Sequence, residues 1–204
     1  MIYIIGIVTI DNERKGAQSM ELDSFLIQHC SATLAGLKMG TLLCLPHCLT
    51  YTDYPRIIER YNLRFNGKQL HFKILFCCPQ RTLLYIYRPT MVERYLHTEE
   101  VRNFLQAYGY STEQTLLAML EHLGARFAAG NCFPHELGLF LGYPLTDVCG
   151  FIRHKGNHAK MCGEWKVYGD AEEALRLFRR FDCCRRTYSK QLAVGASLES
   201  LIVA

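Results

Sequence analysis

No apolar run in this chain reaches the roughly 18 residues that a membrane-spanning helix needs, although half of its 204 residues are hydrophobic. Short apolar stretches alternate with polar ones instead. Their period changes along the chain, from helical spacing to two-residue alternation and back. Such a chain buries its apolar positions by packing several short helices and strands in layers. Its length suits one domain that hides roughly 70% of its unfolded surface. A net charge of +4 with 21% charged residues is too little charge on too apolar a chain for disorder.

The punctuation of the chain gives the expected order of elements. Leu22, Phe25 and Leu26 recur at helical spacing over residues 22–30. Residues 41–45 are a short apolar run stopped by Pro46, hence a buried strand. Pro55 suits the first turn of a helix carrying Ile57, Ile58, Tyr61 and Phe65 inward, ended by Gly67. Residues 71–77 and 82–88 are β-rich and separated by Cys78-Pro79-Gln80-Arg81, which reads as a hairpin. Thr90 and Glu93 form a capping box that opens a helix to about Tyr108, and Ser111 and Gln114 form a second box. The helix after it places Leu116, Leu120, Leu123 and Phe127 on one stripe. Residues 133–144 are apolar and punctuated by glycine, either a buried strand or a tight helical turn. A short helix over 146–155 ends at Gly156, a strand follows over 161–168, and Asp170 caps a long final helix. These elements predict a single α+β domain with a mixed sheet of about four to six strands covered by helices. Met20 opens a cleaner pattern than the residues before it. Residues 1–19 therefore read as an N-terminal extension, either a misassigned start or a peripheral strand, and residues 20–204 as the domain.

Ten cysteines in a chain of this size point to free thiols rather than a disulfide framework. Residues 2–10 are apolar but lack the positive flank and the small-residue cleavage site of an export signal. Cys44, Cys77, Cys132 and Cys149 sit inside hydrophobic runs, where a thiol behaves as a small hydrophobe. A reducing cytoplasm is the expected compartment. Metal spacing is weak throughout, so no metal site is expected. Cys44, His47 and Cys48 lack a second ligand pair, and His154, His158 and Cys162 share a face only if Gly156 leaves the helix unbroken. His135-Glu136 lacks the second histidine of a metalloprotease, since Leu139 stands there.

Other chemistry stays open. His135 and Glu136 form a candidate half-buried acid/base pair, or else fix a turn through backbone hydrogen bonds. Cys30, beside His29, and Cys162, near Lys166, are candidate nucleophiles if the fold brings a base close, and otherwise structural thiols. Neither a G-x-G-x-x-G nor a G-x4-G-K-[ST] motif occurs. The pairs Arg179-Arg180 and Arg185-Arg186 read as the solvated, dipole-favoured end of a helix. With so small a net charge and no recognition motif, specific nucleic-acid binding is not expected.

Three stretches together carry a resemblance. They are residues 29–38 (His-Cys-Ser-Ala-Thr-Leu-Ala-Gly-Leu-Lys), residues 133–144 (Phe-Pro-His-Glu-Leu-Gly-Leu-Phe-Leu-Gly-Tyr-Pro) and residues 162–170 (Cys-Gly-Glu-Trp-Lys-Val-Tyr-Gly-Asp). With them the chain resembles domain-of-unknown-function family 3793, a family mainly of anaerobic bacteria, from about Met20 to the end. The family name brings no reaction and no cofactor. The resemblance implies a setting in redox or iron physiology, and a redox- or iron-related protein partner is one expectation. The chain departs from the family pattern in its leading segment and in Ala32 where proline is usual. His154 and His158 are not family features, which weakens the metal reading of that trio. Within the signature stretches, Lys38, Tyr143, Trp165, Lys166 and Tyr168 are the candidate ligand-binding residues, beside His135, Glu136, Cys30 and Cys162. Lysines near Tyr143 imply a small anionic ligand; cysteines near His135 imply a thiol enzyme. A non-catalytic interaction module is the third expectation.

Overall fold

A computed structural model describes residues 7–9, 22–46, 54–111, 113–130 and 133–203. Met20, His47, Cys48 and Cys132 lie outside them. The central element is a four-stranded sheet in the order β1-β2-β4-β3, with β1 at Ile7–Thr9, β2 at Gly40–Pro46, β3 at His71–Cys78 and β4 at Arg81–Tyr87. β2, β4 and β3 run antiparallel to their neighbours, and β1 lies parallel to β2 with Val8 opposite Leu43. The sheet is therefore mixed, and part of the N-terminal extension supplies one edge of it.

β4 explains the two-sided core. It is buried from Thr82 to Tyr87, and successive side chains of a strand point to opposite faces. Leu83, Tyr85 and Tyr87 enter one apolar cluster, and Leu84 and Ile86 enter the other. The second cluster is closed by α1 (Leu22–Leu34) and α2 (Tyr54–Phe65), with Phe25, Leu26, Leu34, Ile58 and Phe65 buried in it. The first cluster is closed by α3 (Pro89–Leu96), α4 (Glu99–Gln106), α5 (Leu116–Ala129), α6 (Leu137–Phe140) and α7 (Leu145–Arg153). A two-stranded hairpin, β5 (Met161–Cys162) and β6 (Lys166–Val167), packs on the same side and leads into α8 (Ala171–Ala193). α8 serves both clusters, with Ala174 and Phe181 in the first and Cys184 and Tyr188 in the second. Helix α9 (Leu198–Leu201) closes the described chain, its first turn capped by Ser197.

Buried polar groups fasten these layers. Arg88, just after β4, donates to the carbonyls of Thr33 (2.9 Å), Leu34 (2.5 Å) and Lys68 (2.9 Å), so it ties the end of α1 to the turn that follows α2. Asn62 on α2 does the same for the sheet edge. Its amide donates to the Phe72 carbonyl (2.9 Å) and its oxygen accepts from the Phe72 N–H (2.8 Å).

Several local expectations are corrected. Pro89 occupies the first turn of α3, so Thr90 lies inside the helix and its hydroxyl donates to Gln69 Oε1 (2.9 Å) instead of capping. The helix expected to reach Tyr108 breaks at His97 and Thr98 into α3 and α4. In the second box, Gln114 reaches back to the Ser111 N–H (3.1 Å), but Thr115 caps α5 by accepting from Ala118 N. The strand expected over 161–168 is a hairpin, because residues 163–165 turn the chain. The 133–144 stretch takes the helical-turn alternative as α6. Asp170 caps α8 as its position implies, accepting from Glu172 N and Glu173 N (3.0 Å each).

Candidate functional site

The second and third signature stretches meet on the first cluster's side of the sheet, and the first stretch, mostly in α1 against the second cluster, reaches them through Lys38 at its end. The turn around α6 is fixed first. The Tyr85 hydroxyl donates to the Phe140 carbonyl, and the Tyr95 hydroxyl donates to the Tyr143 carbonyl (2.7 Å). Tyr143, so held, stacks on Trp165 with ring centres 4.7 Å apart, and Phe178 meets the far side of the indole edge-on at 4.6 Å. Trp165 is buried, and its indole N–H donates to Asp147 Oδ2 (2.7 Å). Asp147 Oδ1 accepts from the backbone N–H groups of Tyr168 and Gly169 (2.7 Å each). This buried carboxylate lies in the first turn of α7, where a helix favours negative charge. It locks α7 to the β5–β6 hairpin.

Between α6, α7 and the hairpin lies a cleft. It encloses about 360 Å³ counting its open mouth, and its closed part has room for about one or two water molecules. Phe133, Phe151, Tyr143 and Trp165 wall it, and His135, Asp147 and Lys166 supply its polar atoms. His135 tilts against Phe151 at 5.2 Å and against Phe133 at 5.9 Å. Burial lowers the pKa of His135 below its ordinary 6.5, against a smaller opposing pull from Glu136, so the ring is neutral at pH 7. The Lys166 ammonium donates to the Gly156 carbonyl (2.7 Å) and pairs with no carboxylate among the described residues. Gly156 sits at φ +78°, and a Cβ there would press on the Phe151 ring at 3.1 Å. The placement of Phe151 and Lys166 thus depends on a glycine.

Lys38 stands behind the Tyr143 wall. It is buried, 5.8 Å from the ring centres of both Tyr143 and Phe181, and 3.7 Å from Glu164 Oε2. Burial lowers its pKa, and Glu164 partly restores it. Glu164 is shared, since Arg185 on α8 also pairs with it. Lys38 therefore braces the wall and does not open into the cleft.

The structure separates the remaining candidates. Glu136 is fully buried but turns to Arg126 on α5, with which it pairs, and to the Tyr110 hydroxyl (3.4 Å). It does not line the cleft beside His135, so the two neighbours serve different places. Cys30 lies in the other apolar cluster, its thiol pushed up to about 12 by burial. Cys162 is exposed on β5 and is absent from the cleft wall. Neither thiol meets His135 there. Tyr168 contributes its backbone N–H; its ring stacks on His154 at 5.7 Å, and its buried hydroxyl has no partner among the described residues. His154 and His158 approach to 6.0 Å between ring centres, but no group of three or more His, Cys, Asp or Glu is placed to hold a metal among the described residues. Asp147, Phe133 and Phe151 were not singled out from the sequence. The only signal for Asp147 was an acid in the first turn of a helix, which is too common to mark a site.

These features define a single α+β domain with a small aromatic cleft carrying one lysine without an acid partner. A model of the family described as "Protein of unknown function (DUF3793)" matches residues 26–202, and the chain belongs to that family. No curated protein and no solved structure matches it.

Proposed function

We propose that this chain is a binding or accessory protein that takes a small anionic ligand in the cleft, with Lys166 as the counter-ion. The observation that carries the reading is the Lys166 ammonium, set among aromatic walls with the Gly156 carbonyl as its one acceptor among the described residues, of three N–H groups it can donate. The other charge at the cleft, Asp147, has both oxygens engaged by three N–H donors, which spread its negative charge. A cation in a low-dielectric wall attracts an anion more strongly than one in open water. The setting is the cytoplasm, in anaerobic redox or iron metabolism. Eight free cysteines among the described residues support a reducing compartment. No helix among those residues is long and apolar enough to cross a membrane. The redox or iron setting rests on the family resemblance.

Backbone amide NMR tests the site. Titration with a panel of organic and inorganic anions is expected to shift resonances clustered at residues 133–148 and 165–168, and Lys166→Met is expected to abolish the shifts while the rest of the spectrum stays native. Shifts that scatter over the surface, or survive in K166M, would remove the cleft from consideration.

A further inference from the structure

Resting on that reading, the geometry points to a narrower ligand class, and we infer that the cleft selects a monocarboxylate with a flat apolar body over phosphate. Three observations lead there. The first is the charge count. Among the described residues Lys166 is the only cation lining the cleft, and the charge of Asp147 in the same wall is already taken up by its three N–H donors. One ammonium balances one negative charge on the ligand; a second would have no cation to offset it and would face Asp147. His135 adds no charge at neutral pH, because burial keeps it unprotonated.

The second observation is size. The closed part of the cleft has room for about one or two water molecules. A carboxylate head fits such a space, while the ligand's body must lie in the open mouth. The third is the chemistry of the wall. Phe133 and Phe151 flank His135 in the lining, with faces and edges that favour a planar apolar group. Phosphate brings no body to use this surface and carries a second charge.

The groups that face His135 are Phe133, Phe151 and, through charge alone, Glu136; Lys166 and Asp147 share the cleft with it. Protonation of His135 therefore places a second cation beside the carboxylate. Affinity rises as the pH falls below the ordinary histidine range and the ring takes up its proton.

The chain has one tryptophan, and it lines the cleft, so its emission reports occupancy directly. Titrations of the full chain with benzoate, benzamide, acetate and inorganic phosphate at pH 7.5 decide the matter. Benzoate is expected to saturate, with benzamide, acetate and phosphate each at least tenfold weaker. Lys166→Met is expected to weaken benzoate at least tenfold with an unchanged circular dichroism spectrum and melting temperature. Moving from pH 7.5 to pH 5.5 is expected to tighten benzoate about threefold in the wild type and not in His135→Gln. Phosphate binding more tightly than benzoate, in a manner lost in K166M, would overturn the carboxylate class and leave the anion reading standing. Benzamide equal to benzoate, or no response to any anion, would overturn both. Should K166M fail to fold, Lys166→Arg serves instead: it keeps the charge and is expected to keep benzoate binding within a few-fold, and loss of the preference over benzamide there would count against the proposal.

Discussion

Asp147 shows how much one side chain can hold in this molecule. Its carboxylate accepts from the Trp165 indole and from two backbone N–H groups, all at 2.7 Å, in a buried position. Asp147→Ala leaves one buried donor, the indole N–H, and two part-buried backbone N–H groups without their acceptor, and an unsatisfied buried donor costs about 1–3 kcal/mol. Since water can reach some of them from the cleft, urea denaturation is expected to show a loss of about 3 kcal/mol for D147A, accompanied by a red shift of Trp165 emission. A loss below about 1 kcal/mol would mean that the hairpin is held by packing alone. Thiol reactivity gives a second expectation at this scale. Cys30, buried and with its pKa raised, resists iodoacetamide until the chain unfolds, while exposed Cys77, Cys162 and Cys183 label first. Mass spectrometry of the labelled peptides checks the order; early labelling of Cys30 would contradict its burial. At residue scale the sequence marked Tyr143, Trp165, Lys166 and His135, which the cleft brings together, because polar and aromatic groups stood out in a glycine-rich apolar stretch. It did not separate His135 from Glu136. Neighbours in sequence share a backbone but not a direction, and only the placement of Arg126 and Tyr110 decides where Glu136 turns.

Among the elements, α5 depends most on close approach. A Cβ at Gly124 would stand 2.5 Å from the Leu75 carbonyl oxygen, so the helix backbone rests almost directly on β3 where its register shifts between Ile74 and Phe76. A methyl there has no flexible side chain to push aside. Gly124→Ala is expected to destabilise the protein by about 1–3 kcal/mol, against the gain that alanine normally brings inside a helix. Thermal melts check this, and a higher melting temperature for G124A would show that helix and strand slide apart without cost. Most elements were legible from period and punctuation: α1, α2, the β3–β4 hairpin, α5, α7 and α8 lie where spacing placed them, within a few residues. The misplacements share a cause. At Thr90 and Ser111 a capping pattern was present, but a neighbour with a stronger claim, Pro89 or Thr115, started the helix elsewhere. Over residues 161–168 alternation was real, yet a strand also needs partners. The only one within reach was the other half of the same stretch.

For the whole molecule, pH is the most direct probe of how the two cores are sealed. His29, His71 and His135 each have a pKa lowered chiefly by burial; Arg185 lowers His29 further, while Glu93 and Glu136 partly oppose the shift in His71 and His135. A histidine whose folded pKa lies below its unfolded 6.5 binds fewer protons folded than unfolded in that window. Stability is therefore full above about pH 6.5 and falls as the pH drops through it, before carboxylates titrate. The urea midpoint is expected to decrease steadily from pH 7 to pH 5. A triple replacement of these histidines by glutamine is expected to flatten the profile. A midpoint rising toward pH 5 in the wild type would show the rings to be paired with carboxylates instead. The mixed sheet covered by helices was foreseeable at this scale, since short runs of changing period leave few alternatives. The division into two apolar clusters was not. It comes from β4 being buried on both faces, and no run of residues in isolation says how many sides of it are covered.

The contact between Asn62 and Phe72 bears on how this protein stays apart from its own copies. A terminal strand offers a row of unpaired amides and carbonyls on which another chain can grow a sheet. Here a helix lends β3 one side-chain amide, with a donor and an acceptor placed as the backbone of an adjoining strand would place them. The last strand thus meets an imitation of a further neighbour at that residue. Growth of the sheet is discouraged there by an asparagine, beside the charge of Lys73 and the register shift at Ile74 and Phe76 on the same strand, and a change at Asn62 is expected to register as self-association before it registers in the fold.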